Sequence, residues 1–166
     1  MSQDFYLGNP NLKKVGTEIQ FTKDQIQEYL KCKEDPVYFA MTYIKIISLD
    51  EGIVPFKMWD FQQELIESFH ENRFNIAKLP RQTGKSTTCV SYLLHYILFN
   101  DNVNVGILAN KLSTARDLLG RLQLAYEQLP LWLQQGIVVY NKGSMELENG
   151  SKILAASTSA SAVRGM

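Results

Sequence analysis

The chain has 166 residues, enough for one domain with its own core. Apolar residues make up 45%, charged residues 20% and aromatic residues 11%, which excludes a disordered or fibrous chain. Seventeen basic against seventeen acidic side chains give zero formal net charge, so no whole-chain field draws it to nucleic acid or to an anionic membrane, and any DNA contact has to be local.

Cys32 and Cys89 lie far apart and fit neither a disulfide framework nor a CxxC metal or redox pattern, which points to a reducing compartment. The opening "MSQDFYLGNPNLKK" has no apolar stretch of signal-peptide length, and the longer apolar runs are broken by Lys45, His95 or Asp101. Neither secretion nor a membrane span is expected.

Residues 1 to about 20 are polar, with "LGNP" among them, and read as a loosely held lead-in. Thr22 followed by Gln25 forms a capping-box pattern ahead of "DQIQEYLKCK", a first short helix. Asp35 and Pro36 suit the N-cap and first position of a second helix, which carries Tyr38, Phe39, Met41 and Ile44 as a stripe for core packing rather than base stacking. "SLDEGIVPF" makes a turn and a short extended piece. "WDFQQELIESFH" reads as a helix with Phe61, Leu65, Ile66 and Phe69 on one face, and "FNIAKL" as a short strand. "KSTTCVSYLLHYILFN" is a helix whose inner face is Val90, Leu93, Leu94, Ile97 and Leu98; "VNVGILAN" is a strand, and "STARDLLGRLQLAYEQL" a helix stopping at Pro130. Strand, loop, helix, strand, helix is the order of a parallel α/β sheet. "GIVVYNKGSMELENGSKILAAS" then shows strand-like runs split by Lys-Gly and Asn-Gly turns, a hairpin or meander at the sheet edge.

Between "NIAKL" and the following helix lies "PRQTGKSTT". Gly-Lys followed by Ser or Thr arises by chance in about one chain in ten of this length. Its place between a strand end and a helix start is what gives it meaning, because free backbone amides and the positive end of the helix dipole favour phosphate there. On that reading Lys85 bridges the β- and γ-phosphates, the Ser86 hydroxyl ligates Mg2+, Gly84 permits close backbone approach, and the amides from Thr83 to Thr87 cradle the phosphates of ATP. The alternative, a solvated lysine in the first turn of an ordinary helix, sets a cation against the dipole. Leu79 stands where the usual signature has glycine.

With that departure, "LPRQTGKSTT" resembles the deviant Walker A of tailed-phage large terminases, the ATP-driven motors that pump DNA into capsids, and those of T4-like phages in particular. "WDFQ", "VGILANK", "NKGSMELENGS" and "AVRG" follow the same family's order, and the likeness is strong from about residue 53 onward. The resemblance implies a P-loop NTPase fold of the RecA-like (ASCE) kind, a three-layer α/β sandwich incomplete at its C-terminus, with 1–52 as a helical lead-in and 53–166 as the first part of the ATPase domain. It assigns Gln62 to the adenine edge with Phe61 packing nearby, where the residues alone read as an exposed helix glutamine. It makes Arg81 a cis arginine finger, Gln82 and Thr83 part of the loop, and Arg164 a trans finger, with a surface arginine as the other reading of Arg81.

In the family an apolar strand ending in Asp-Glu follows, and then a metal-dependent nuclease domain; neither is in this sequence. Glu146 and Glu148 alternate in a candidate edge strand and read as a solvent-facing pair, so nucleotide binding without hydrolysis is expected of these residues. Strands that the family inserts beside "VNVGILAN" would be missing, leaving apolar surface and strand edges uncovered, by a partial record or because a second polypeptide supplies them. The implied partners are viral double-stranded DNA, the portal protein, the small terminase subunit and further copies in a ring, typically a pentamer, on the procapsid in the host cytoplasm, with no membrane. Another RecA-like motor such as a helicase, or a non-catalytic assembly module of the packaging complex, are the alternatives; the 137–166 tail favours the terminase.

Overall fold

The computed structural model describes residues 5–48 and 50–158. Its described part is α/β: helices α1 (Lys23–Glu34), α2 (Pro36–Tyr43), α3 (Asp60–Glu71), α4 (Lys85–Phe99) and α5 (Leu112–Glu127), with strands β1 (Lys45–Ser48), β2 (Gly52–Pro55), β3 (Asn104–Ala109), β4 (Ile137–Tyr140), β5 (Ser144–Leu147) and β6 (Lys152–Ser157). No described helix is long and apolar enough to cross a membrane.

The first two helices start where the sequence says they should. Gln25 N donates to Thr22 Oγ1 at 3.2 Å and Thr22 N to Gln25 Oε1 at 3.0 Å, a complete capping box. Asp35 Oδ1 accepts from Tyr38 N at 2.8 Å, with Pro36 in the first turn. Helix α2 ends at Tyr43, however, and Ile44 is already outside it. Its successors, including the β-branched Ile46 and Ile47, pair antiparallel with β2 as a hairpin, a conformation that suits such side chains better than a helix end.

Strands β4, β5 and β6 form the antiparallel meander that the turn residues announce, and β6 continues as a parallel partner of β3 from Asn104↔Lys152 to Ala109↔Ser157. The sheet order β3-β6-β5-β4 is therefore mixed, with a single parallel pair among the described residues, and the meander makes up most of the sheet rather than fringing it. Helix α5 packs on β3 and β6, and α4 packs on α5 while touching α2 and α3 on its other sides. One core joins these layers: Leu94, Ile97 and Leu98 of α4, Leu119, Leu122 and Tyr126 of α5, Met145, Leu147 and Ile153 of the sheet, and Cys32, Phe39 and Ile44 from the lead-in.

The described part of the lead-in, from residue 5, is not loosely held. Leu12 is buried, Ile137 N donates to Lys13 O at 2.8 Å, and the buried Gln134 carboxamide accepts from Lys13 N while donating to the carbonyls of Asn11, Tyr126 and Leu129. These bonds fix the arm in register on β4.

Glu148 is exposed, but its carboxylate is engaged. It accepts from Gly136 N at 2.6 Å, Gly16 N at 3.2 Å and Lys13 Nζ at 3.3 Å. Burial alone would raise its pKa, but these donors outweigh burial and hold it below the usual carboxylate value. Glu146 belongs to β5, which has a neighbour on each side and is no edge strand.

The stretch "FNIAKL" is not a strand. Residues 74–79 belong to no helix or strand, and Phe74 and Ile76 stand 83% and 101% exposed. A strand exists only through its ladder of hydrogen bonds, and no described strand lies alongside to supply one.

His95, on the buried face of α4, is 2% exposed; its Nε2 bonds Cys32 O at 2.9 Å and its Nδ1 has no described partner. Burial, helped by the nearby His70 and opposed by the Cys32 carbonyl, pulls its pKa down to about 4. A depressed histidine pKa means the unfolded chain takes up the proton first. Folding stability should therefore be full above pH 6.5 and fall steadily as the pH drops from there to about 4. Urea unfolding across that window should show the slope in the wild type and lose about one proton's worth of it in His95→Leu; an unchanged slope would contradict the assignment.

Candidate functional site

The loop before α4 is shaped by two left-handed residues, Gln82 (φ 65°) and Gly84 (φ 74°), the latter being the N-cap of α4. For a glycine this φ costs little, and here the absence of a side chain is needed as well: a Cβ on Gly84 would lie 2.5 Å from Gln62 Nε2. Helix α4 has no side-chain cap and no acidic residue in its first turn, and its first backbone bond across the cap runs from Thr88 N to Gly84 O at 3.0 Å. The amides ahead of Thr88 are thus left to whatever approaches the loop, and the dipole favours an anion there.

Within the loop, Pro80 O gathers two donors, Thr83 Oγ1 at 3.0 Å and Lys85 Nζ. The lysine is thereby folded back on its own loop. Ser86 and Arg81 are exposed.

Gln62 is where the structure departs most from the sequence-based expectation. It is 3% exposed, not a surface glutamine; its Oε1 accepts from Trp59 N at 3.0 Å and its Nε2 donates to Thr83 O at 3.1 Å. One carboxamide therefore closes the start of α3 and holds the phosphate-loop candidate in place. Leaving either bond unmade would bury an unsatisfied polar group at about 1–3 kcal/mol.

A cleft of about 510 Å³, within the size range of small-molecule sites, runs along this junction. It brings together Phe61, Gln62, Gln82, Thr83, Gly84 and Thr87 of the sequence-derived set. Arg81, Lys85 and Ser86 belong to the same loop and helix start but not to the cleft wall, and Arg164 lies outside the described residues. The cleft also contains residues the sequence reading passed over, Ile46, Phe56, Lys57 and Trp59. Trp59 stood inside the quoted "WDFQ", and the signal was its place one residue ahead of the helix, where no core-facing periodicity demands a tryptophan.

No protein-family model matches this chain. The described residues hold no cluster of three or more His, Cys, Asp or Glu able to bind a metal by itself. The uncapped amides at the start of α4 are of the right chemistry for an anionic group.

Gly84→Ala should lower the unfolding free energy by about 2 kcal/mol, from left-handed strain and collision with Gln62. Combining it with Gln62→Ala should cost less than the sum of the two single changes by about 1 kcal/mol, because the collision is gone while the strain remains. Denaturant unfolding of the four chains measures this, and strict additivity would mean that the two residues are not in contact.

Proposed function

We propose that this chain is the nucleotide-binding part of a DNA-packaging motor of the large-terminase kind, with a P-loop ATPase fold. The observation that carries the reading is the Gly84 turn feeding an uncapped α4 whose first residue is Lys85, beside a cleft that also takes in Phe61 and Gln62. A glycine turn, free helix-start amides and a lysine at that point are what a triphosphate requires.

On this reading Lys85 exchanges its bond to Pro80 O for phosphate oxygens, the amides from Thr83 to Thr87 donate to the phosphates, and Ser86 ligates Mg2+. Arg81, exposed in the same loop, would meet the terminal phosphate group on this reading. ATP supplies the phosphoryl group whose transfer drives the motor. Strands supplied by a longer chain or a second polypeptide would cover 74–79 and the outer edge of β3, where Leu108 is half-exposed. Double-stranded DNA, the portal, the small terminase subunit and neighbouring copies in a ring belong to the same proposal, as does the host cytoplasm.

Calorimetry should show Mg-ATP binding to the wild type and a loss of at least about tenfold in Lys85→Ala, the size expected for removing a charge-assisted contact. Phosphate release measured in the same samples should stay at background. Equal binding by the two chains would sink the proposal.

A further inference from the structure

The cleft beside the loop contains one large flat side chain that the fold does not use. Trp59 is 72% exposed, whereas the other tryptophan, Trp132, packs edge-on against Phe21 and Tyr43. Among the described residues no aromatic ring pairs with Trp59. It lines the same cleft as Gln82, Thr83 and Gly84, with Ile46 and the buried Phe56 behind and Lys57 next to it. Its backbone is also fixed: Trp59 N is bonded to the carboxamide of Gln62, whose other end holds Thr83 O. The Trp59 backbone and the loop are therefore linked through a single buried side chain.

We propose that Trp59 is the base platform of this site, a stacking surface for the nucleoside whose phosphates lie at the start of α4, and that Gln62 is a positioning residue which ties the platform to the loop and does not read the base. The inference rests on the nucleotide-binding reading above and changes what that reading says about specificity. Gln62 is 3% exposed and each end of its amide already makes a hydrogen bond within the chain, which favours a positioning role over reading the base. Stacking on an aromatic face accepts any base, because every base has a π-face, whereas strong discrimination comes from hydrogen bonds to the base edge. The site therefore binds ATP and GTP with similar strength.

The test uses the full chain carrying Trp132→Phe, so that Trp59 is the sole tryptophan, titrated with Mg-ATP, Mg-GTP and Mg-tripolyphosphate by fluorescence and calorimetry. Both nucleotides should quench Trp59 emission, with dissociation constants within about threefold of each other, as stacking without edge contacts implies. Trp59→Ala should weaken both nucleotides by about tenfold or more while leaving tripolyphosphate unchanged, and Trp59→Phe should recover most of the loss. Gln62→Leu should weaken ATP, GTP and tripolyphosphate alike, since it loosens the loop. A preference for ATP over GTP beyond about thirtyfold, a loss in Gln62→Leu confined to ATP, or nucleotide binding indifferent to Trp59→Ala would each overturn the platform while tripolyphosphate binding upholds the phosphate site. Failure of all three ligands to bind would remove the nucleotide reading and the platform together.

Discussion

Helix α4 is enclosed by α2, α3 and α5, and its interior positions from Thr88 to Phe99 are mostly buried. A helix so placed can satisfy its internal backbone bonds wherever it lies, but the amides of its first turn must find partners outside the helix. The fold leaves them facing the loop 80–84, with no side-chain cap. That constraint organises the site: the chain has to turn sharply into α4 through Gly84, and something has to hold the turn. The Gln62 carboxamide does so from α3, which fixes the wall of the cleft at the same time.

Much of the rest is fastened in the same manner, by single polar side chains that each serve several partners. Gln134 ties the arm to α5 and the loop after it, and Glu148 ties the arm to the meander through two amides and Lys13. Glu28 accepts from the Tyr38 and Tyr43 hydroxyls at 2.8 and 2.9 Å and so joins α1 to α2. Together with the desolvated Cys32 beside it, whose thiol pKa burial pushes up to about 12, this corner has the character of a structural contact and not of a reactive centre.

Local signals in the sequence were enough wherever an element's stability is local. The Thr22–Gln25 capping box, Asp35 with Pro36, the apolar stripe of α4 and the turn residues of the meander all gave the elements that form, because caps and turns act within four residues of themselves. Expectation and structure part where the stabilising partner is distant. "FNIAKL" has the composition of a strand and no ladder to join, Ile44 leaves its helix for the hairpin that follows, and the polar lead-in is held by Gln134 from more than a hundred residues away.

By itself the sequence determined the mixed α/β class, most of the helices and the candidate loop with Lys85, since each follows from periodicity, capping or the conformational freedom of one glycine. Only the tertiary structure decided that Gln62 is buried and spoken for at both ends, that Trp59 faces the cleft, and that Glu148 holds the arm. Those are properties of side chains meeting across long separations, and whether a glutamine is exposed or a carboxylate is paired depends on what the fold brings against it.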